Sequence, residues 1–308
     1  MDTSLPPGYS HRMRLSDHFA DVRRDAAFEW TGPSDGQGRG LLAFASTPAH
    51  LRRALANPDL TALVVPASLA GLSSDAAPGG IGLAVCETPR EAFFAVHNRL
   101  AAIADDALPP PEVDPSARVH PSVHLADGVR IAAQAEVAAG AILGPGTEIA
   151  DGAFVGEGAF VGVAGHFDQF GVDGRRMRVR HAGRVQVGPG AQILPGAIVQ
   201  RDVYAVRTRI AEDAVIGPGV LLGHGAQVGR RAVLAGGTVV AGYTRIGDDA
   251  WCGPGVTLGN RLEIGEGARA EIGAVVIRDL APAARVSGNF ARSHVANLRR
   301  QTKENSDD

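Results

Sequence analysis

The chain has 308 residues, long enough for two domains, and its formal net charge of −3 excludes a general affinity for nucleic acid. Its 40 glycines and its aromatic content of 5% favour tight repeated coils over a densely packed α/β core. No apolar run is long enough for a signal peptide or a membrane span, and the two cysteines, Cys86 and Cys252, predict no disulfide framework, so a reduced, cytoplasmic setting is expected.

The N-terminal third of the chain predicts a disordered segment, a small α/β domain and a linker. Residues 1–11 are expected to be disordered, and residues 12–107 alternate helices with strands, as a small α/β domain does. Its predicted elements are a helix over 14–24, a strand over 41–45, a helix over 48–56 capped by Ser46 or Thr47, strands over 60–65 and 82–85, and a helix over 89–103 capped by Thr88. The Pro-rich residues 108–112 predict a stiff linker.

From Val113 to Val276 an aliphatic residue recurs at every sixth position, with two interruptions. Six is neither the helical period nor the alternation of a strand, and with Gly, Ala, Asp or Pro between the ladder positions it is the signature of a parallel β-helix. Three hexads form one triangular coil, so residues three hexads apart stack at about one strand spacing, ~4.8 Å. We therefore predict a mainly β chain with a left-handed β-helix over 113–280.

Within the β-helix, the residues between ladder positions predict the corners of the coils. Small residues are expected where a Cβ would crowd the neighbouring coil and where a positive φ is needed. These predicted corner residues are Gly144, Gly156, Gly188, Gly223 and Gly247. Cys252 occupies a ladder position and is interpreted as a buried filler of the core.

Two interruptions and a C-terminal segment depart from the ladder. Residues 164–184 form a long excursion, and residues 200–209 form a shorter one. Loops that leave a rigid scaffold commonly carry function. After the ladder, residues 281–308 predict a short helix over 291–300 and a polar tail.

His224 is the sharpest candidate for chemistry, because glycines flank it and open space around its imidazole. Gly242 follows three hexads later and Asn260 another three hexads later, so a regular prism stacks the three in one column. The column places a backbone N–H about one strand spacing from the imidazole, an arrangement suited to a general base and an oxyanion donor. The alternative is a histidine that lies on a surface corner without a role.

The chain resembles the UDP-3-O-acylglucosamine N-acyltransferases of lipid A biosynthesis over nearly its whole length. Residues 42–50 (LAFASTPAH) resemble that family's strand–helix junction, where a phenylalanine packs against uracil. Residues 164–171 and 183–188 resemble the segments that flank the family's Gly-Phe-Gly-Phe loop, and Ser287-Gly288 resembles its exit from the β-helix. His224 falls at the family's catalytic histidine, and Gly242 falls at its oxyanion-hole glycine.

The resemblance implies transfer of an acyl group from acyl carrier protein or acyl-CoA to the amine of a nucleotide-linked amino sugar. It implies His224 as the base, Gly242 as the oxyanion donor, no metal and no permanently bound cofactor. It also implies a C3 homotrimer with active sites between neighbouring prisms, and acyl carrier protein as a possible partner. The substrate-binding residues that it suggests are Phe44, Thr47, His50, Asn260 and Arg261.

Several positions depart from the family's pattern. Gly225 stands where the family has an asparagine, Gly217 where it has an acidic residue, and Arg261 where it has a second histidine. Thr47 and His50 replace the asparagine and tyrosine of the uracil site, and the C-terminal helical segment is much shorter.

Charged residues in the interruptions are further candidates. Arg175, Arg176 and Arg178 form a basic run that suits the phosphates of a nucleotide, coenzyme A or phosphopantetheine, although a solvated loop is the alternative. Asp202 and Arg207 in the shorter interruption either satisfy local backbone groups or position His224.

Two other functions stay open. One is a short-chain acyltransferase of the acetyl-CoA type, acting on another amino sugar or amine metabolite, which the short C-terminus and the altered Thr47 and His50 favour. The other is a non-catalytic β-helix that serves as a binding module, which the missing asparagine, acidic residue and second histidine favour.

Overall fold

The computed structural model describes residues 12–76 and 80–288. The predicted disorder of residues 1–11 and the predicted helix over 291–300 lie outside these residues. The described α/β part contains a 3-10 turn over Leu15–Asp17 together with strands and α-helices. The strands are β1 Met13–Arg14, β2 Asp21–Arg24, β3 Ala27–Phe28, β4 Trp30–Thr31, β5 Leu41–Phe44, β6 Leu60–Val65 and β7 Gly82–Val85, and the helices are α1 Pro48–Leu55, α2 Ala67–Ala76 and α3 Pro89–Asp106.

The α/β part is built on a five-stranded sheet in the order β2-β7-β6-β5-β4, parallel except for β2 at one edge. The predicted strands over 41–45, 60–65 and 82–85 are confirmed, and so is the first helix, whose Thr47 hydroxyl accepts the N–H of His50. The last helix extends to Asp106. Helix α2 was not predicted.

The predicted helix over 14–24 is wrong. The segment instead forms β1, a 3-10 turn and β2, and β2 pairs antiparallel with β7. The Asp17 carboxylate accepts the N–H of Arg14, and the Asp25 carboxylate accepts the N–H of Ser16, so two local turns replace helical hydrogen bonds. Pairing with an available sheet edge then outweighs the weak helical pattern of the segment.

Residues 112–286 form the predicted prism, with three parallel sheets and one strand of each sheet in every regular coil. The polar face contains β8 Glu112–Val113, β11 Arg130–Ile131, β14 Glu148–Ile149, β19 Arg184–Val187, β22 Arg207–Ile210, β25 Gln227–Val228, β28 Arg245–Ile246 and β31 Glu263–Ile264. The mixed face contains β9 Arg118–Val119, β12 Glu136–Val137, β15 Phe154–Val155, β20 Gln192–Ile193, β23 Val215–Ile216, β26 Val233–Leu234, β29 Trp251–Cys252, β32 Arg269–Ala270 and β34 Arg285–Val286. The apolar face contains β10 His124–Leu125, β13 Ile142–Leu143, β16 Phe160–Val163, β21 Ile198–Gln200, β24 Leu221–Leu222, β27 Val239–Val240, β30 Thr257–Leu258 and β33 Val275–Val276.

The register confirms the predicted coil of three hexads. Leu222 pairs with Val240, and Val240 pairs with Leu258. Every ladder residue from Ile131 to Val276 is at most 6% exposed, which accounts for the core of the left-handed β-helix. Cys252 is fully buried in this core, and burial raises its pKa to about 12, as expected of a filler residue.

The five predicted corner glycines are confirmed as crowded, but their expected positive φ is wrong. A Cβ on any of them would come within 2.8 Å of the backbone of the next coil. The left-handed conformation occurs two residues later instead, as at Gly146, where φ is 63°. Two different constraints therefore act on each corner, close approach at its first residue and chain reversal at its third.

The α/β part packs against the two interruptions of the prism. Val179 and Val203 are fully or almost fully buried in the same apolar cluster as Leu42, Phe93 and Leu100. A buried ion-pair cluster adds to this contact, because Asp105 of α3 accepts hydrogen bonds from both Arg184 and Arg201. The interruptions therefore lie between the helical part and the β-helix.

Candidate functional site

The candidate residues line one edge of the prism, where the apolar face meets the polar face. The long excursion lies between β16 and β19, and the shorter interruption lies between β21 and β22, so both leave the prism at this edge. His224 follows β24 at the next coil, Gly242 follows β27, and Asn260 follows β30. The two interruptions, His224, Gly242 and Asn260 therefore lie along the same edge, one in each of five successive coils.

His224 and Gly242 are in direct contact at this edge. An ideal Cβ on Gly242 would lie 2.5 Å from Nε2 of His224, so the imidazole can occupy this place only because residue 242 is glycine. The carbonyl of His224 accepts the N–H of Tyr243, and the carbonyl of Gly242 accepts the N–H of Arg261, which keeps the three coils in register. Asn260 is exposed one coil above Gly242, so the predicted column exists.

The N–H of Gly242 is available because of its position in the hexad. The middle residue of each corner contributes no N–H to the coil ladder, and proline occupies that position at Pro145, Pro189, Pro195, Pro218 and Pro254. Within residues 12–76 and 80–288, the Gly242 N–H has no hydrogen-bond partner. An amide with this geometry can donate to a ligand without breaking any contact of the fold.

The imidazole of His224 is held by packing against Gly242 and by contacts with other rings. Its centroid lies 5.0 Å from that of Tyr243, 6.0 Å from that of His181 and 6.3 Å from that of Phe167. Neither of its ring nitrogens forms a hydrogen bond to another described residue. Burial and then the charge of Arg261 lower the pKa of His224, so the neutral ring that a base requires is favoured.

His181 returns the long excursion to the edge beside His224. It is almost fully buried, and its Nε2 accepts the N–H of Gly165. Burial, with the charges of His224 and Arg201, lowers the pKa of His181 to about 4, so this ring stays neutral. His181 closes the base of the excursion through its hydrogen bond with Gly165, and its ring packs edge to face against that of His224.

Asp202, in the shorter interruption, lies behind the corner that carries His224. It is fully buried, and its Oδ1 accepts the N–H of Tyr204 at 2.7 Å and the hydroxyl of Tyr243 at 3.2 Å. Burial raises the pKa of Asp202 to about 7. Arg207, the other residue predicted here, lies 3.7 Å from Glu148 on the polar face.

The column that begins at Gly225, next to His224, contains two non-glycine residues in the left-handed conformation. Tyr243 has a φ of 59°, and Arg261, one coil above it, has a φ of 61°. The Arg261 guanidinium lies over the Tyr243 ring, 4.8 Å from its centroid. Arg261 is thus placed next to the His224 site, and its side chain is exposed to solvent.

The predicted nucleotide-contact residues cluster in the α/β part. The rings of Phe44 and His50 are 5.3 Å apart, and Thr47 caps helix α1, which contains His50. Phe44 also contacts Phe94, which contacts Phe167 at 5.9 Å, and Phe167 contacts His224. An unbroken series of aromatic rings therefore connects the α/β part with the His224 site.

The basic run lies on a hairpin within the long excursion, formed by β17 Asp168–Phe170 and β18 Arg176–Arg178. Arg175 is paired with Asp173, and Arg176 is paired with Asp168. Arg178 is exposed and forms no ion pair with another described residue. Carboxylates of the hairpin thus neutralise two of the three predicted donor contacts.

Sequence reasoning missed the contacts of Phe167, His181 and Tyr243 with His224. Tyr243 carried a signal, since it lies three hexads after Gly225 in the same column. Phe167 and His181 carried none, because the path of an excursion cannot be read from a repeat. No group of three or more His, Cys, Asp or Glu side chains within the described ranges is arranged to hold a metal ion.

Comparison with protein families shows that residues 207–242 fit the model of the bacterial transferase hexapeptide, six repeats. This segment contains both His224 and Gly242. The match confirms the hexapeptide repeats and, at the level of that repeat family, the predicted transferase enzyme. A search of curated proteins finds no match.

Similar folds occur among solved structures of acyltransferases. A UDP-N-acetylglucosamine acyltransferase from Campylobacter jejuni is 23% identical over 62% of this chain and 83% of its own, with a TM-score of 0.40. LpxA from Acinetobacter baumannii is 19% identical over 62% and 75% of the two chains, with a TM-score of 0.47. A mutant of perosamine N-acetyltransferase from Caulobacter crescentus, in complex with CoA and GDP-perosamine, is 23% identical over 63% and 62%, with a TM-score of 0.26. Similarity at this level carries nothing about the substrate.

None of the helices in the described ranges is long and apolar enough to cross a membrane.

Proposed function

We propose that this chain is an N-acyltransferase that moves an acyl group from a thioester donor to the amine of a nucleotide-linked amino sugar. The observation that carries the proposal is the contact between the His224 imidazole and Gly242, whose N–H is unused by the fold. A neutral imidazole can act as the general base, and a free backbone N–H can stabilise the oxyanion, which are two contributions that accelerate amine acylation.

The chemistry follows from these two groups. The neutral His224 takes a proton from the amine as the amine nitrogen forms a bond to the thioester carbonyl. The N–H of Gly242 donates to the oxyanion of the tetrahedral intermediate, a contribution of about 3 kcal/mol in comparable sites. The carbon–sulfur bond then breaks, and the imidazolium returns the proton to the thiolate. No metal and no covalent enzyme intermediate is needed.

The α/β part is proposed to bind the nucleotide of the acceptor. Phe44 offers an aromatic surface beside His50 and Thr47, and the ring series through Phe94 and Phe167 leads from this surface to His224. Asn260 and Arg261 are placed to contact the sugar or an anionic group attached to it, because both are exposed at the same edge.

The acyl donor is proposed to be acyl carrier protein or acyl-CoA, and the long excursion is its contact region. Arg178 is the exposed member of the basic run that pairs with no carboxylate among the described residues, so it is the first candidate for a phosphate of the donor. Arg175 and Arg176 would contribute only after releasing Asp173 and Asp168.

A homotrimer is proposed because the apolar face has aliphatic and aromatic residues on its outer side. The outward residues of successive strands include Phe160 (38% exposed), Val239 (37% exposed) and Val275 (71% exposed). A contiguous apolar face of this kind marks an interaction site. His224 lies at the margin of this face, so a second copy packed there would border the site.

The test is turnover by the wild type and by His224→Ala, with His120→Ala as the control. His120 is an exposed histidine at the other end of the prism. Acetyl-CoA and long-chain acyl carrier protein are each offered with UDP- and GDP-linked amino sugars, and products are identified by mass spectrometry. We expect an N-acylated sugar from the wild type and from His120→Ala, and a loss of at least a hundredfold in kcat for His224→Ala.

The acyl donor that the enzyme accepts in the same experiment distinguishes a long-chain acyltransferase from a short-chain one. A product with long-chain acyl carrier protein alone supports the lipid A type of reaction, and a product with acetyl-CoA alone supports a short-chain enzyme. Turnover of His224→Ala at the wild-type rate would overturn the assignment of the base. Tight binding of nucleotide sugars without turnover of any pair would overturn the enzyme proposal in favour of a binding module.

A further inference from the structure

The buried carboxylate of Asp202 has one oxygen without a partner. Oδ1 accepts two hydrogen bonds, from the Tyr204 N–H and the Tyr243 hydroxyl, whereas Oδ2 is buried and has no hydrogen-bond partner among the described residues. A buried, half-satisfied carboxylate costs stability, so its presence calls for a reason outside the fold.

The corner next to His224 is built around this carboxylate. Gly225 carries no side chain, and a Cβ there would clash with Oδ2 of Asp202 and would lie 2.6 Å from Cδ1 of Tyr243. The N–H of Gly225 donates to Thr208 Oγ1, which fixes the corner from the other side. Asp202 and the Tyr243 ring therefore occupy the space that a side chain at position 225 would fill.

Tyr243 connects Asp202 to the imidazole. Its hydroxyl bonds to the carboxylate, and its ring meets the His224 ring edge to face, at 5.0 Å and 85°. It is the one aromatic residue with a positive φ in the described part of the chain. A bulky residue held in this conformation costs about 1–3 kcal/mol, and such strain concentrates at functional sites.

We propose that Asp202 is a positioning residue for His224: its carboxylate anchors the Tyr243 hydroxyl, and the Tyr243 ring in turn fixes the imidazole against Gly242. The proposal rests on the proposed function, in which His224 is the base. It gives the shorter interruption a role, because the extra residues between Val187 and its ladder partner Ile210 bring Asp202 behind the corner. The proposal also explains why residue 225 is glycine, since a side chain there would displace Asp202 and Tyr243.

The charges around this assembly make the positioning dependent on pH. Arg261 is the cation that acts on both Asp202 and His224, while Tyr204 and Tyr243 face Asp202, and His181 faces His224. Burial raises the pKa of Asp202 to about 7, so its charge is lost as the pH falls through neutrality. The hydrogen bond from Tyr243 then loses the charged acceptor that makes it strong.

The first test needs no substrate. The ε1 proton of His224 is followed by NMR from pH 5 to 9 in protein with 13C-labelled histidine, and it is assigned by its absence from His224→Gln. We expect an inflection near pH 7, in addition to the lower one of the ring itself. It should vanish in Asp202→Asn and in Tyr243→Phe, and it should persist in Asp151→Asn, which removes a charge from an exposed carboxylate elsewhere on the prism.

An inflection near pH 7 that persists in Asp202→Asn would overturn the proposal. Persistence in Tyr243→Phe together with loss in Asp202→Asn would also overturn it, since the carboxylate would then act without the tyrosine. Because no turnover is measured, these outcomes do not depend on whether the chain is an acyltransferase.

The second test uses the pH profile of kcat/KM with whichever pair of substrates the wild type accepts. We expect an acid limb near pH 7 that moves to lower pH in Asp202→Asn, with kcat about ten- to a hundredfold lower at pH 8 and KM little changed. Asp202→Asn combined with Tyr243→Phe should cost no more than either alone, because both act through one contact. An unchanged limb in Asp202→Asn, or additive losses, would contradict the proposal, whereas full activity of His224→Ala would instead overturn the function on which it rests.

Discussion

Gly225, Tyr243 and Arg261 stack in one column and share the left-handed backbone conformation at the third position of a corner. Glycine adopts this conformation without strain, and the other two residues do not. The strained residues therefore lie directly over the unstrained one, on the edge that carries His224. Other corners of the prism also hold non-glycine residues in this conformation, as at Arg231 and Asp249, but among the described residues only Tyr243 places an aromatic ring there, against His224.

Gly225 and Gly237 make a matched pair for testing this interpretation at the scale of one residue. Both have a positive φ, 67° and 68°, but a Cβ on Gly237 meets nothing within 4 Å, whereas one on Gly225 meets Asp202 and Tyr243. We expect Gly237→Ala to lower the free energy of unfolding by about 1–2 kcal/mol, the cost of the backbone alone.

Gly225→Ala should cost about 1–3 kcal/mol more, because the new methyl group must displace packed atoms. Thermal unfolding of the two variants measures the difference, and kcat should fall in Gly225→Ala only. Equal shifts in Tm would contradict the crowding described at this corner.

At the scale of elements, helix α3 holds the long excursion against the edge. The Asn98 side chain accepts the N–H of Arg180 and donates to the carbonyl of Arg178, while His97 bonds to the carbonyl of Arg180. Glu91, two turns earlier on the same helix, accepts the N–H of Val172. The path of the excursion, and hence the place of His181 and Phe167, is set by a helix that lies far earlier in the chain.

The variant Asn98→Ala tests whether helix α3 holds the long excursion in place. Loss of a hydrogen bond worth about 0.5–1.5 kcal/mol should speed hydrogen exchange of the Arg180 amide by roughly two- to tenfold, while the amides of the coil ladder keep their protection. Asn57→Ala is the control, since the Asn57 side chain also binds two backbone carbonyls, those of Ser34 and Gly36, but within the α/β part. Unchanged exchange at Arg180 in Asn98→Ala would show that the excursion keeps its path without the helix.

The elements show why some features follow from the sequence and others do not. A hexad ladder is a local pattern with one structural solution, so the prism, its register and the His224–Gly242 column can all be counted from residue numbers. The same counting places both interruptions at one edge, because the ladder resumes on the polar face after each. By contrast, residues 21–24 form a strand because β7 offers an edge, and His181 reaches His224 because α3 holds the excursion. Contacts of that kind depend on partners distant in sequence, which a repeat does not encode.

At the scale of the whole molecule, the three faces of the prism differ in what they offer to water. The polar face carries outward pairs such as Arg130 with Glu148 and Arg245 with Glu263. The apolar face carries outward apolar residues in five successive coils, and again at Val275 after Thr257; the five are Ile142, Phe160, Ile198, Leu221 and Val239. A single chain therefore has one face suited to solvent and one suited to a partner, and the candidate site lies at the edge between them.

Val239 is placed to test whether a second copy covers the apolar face. It points outward from the middle of that face, next to Leu221 in the ladder. A charge placed there would be buried without a counterion in an assembled trimer, at a cost of several kcal/mol, so we expect Val239→Glu to shift the protein from trimer to monomer in light scattering. Gln186→Glu is the control, since it adds the same charge to the polar face, beside Arg209, and should leave the mass unchanged. If the site is completed by a neighbour, Val239→Glu should lose activity in proportion to the trimer that it loses, although His224 and Gly242 keep their contact within each chain. A variant that remains trimeric, or one that is monomeric and fully active, would contradict the placement of the site at a seam between copies.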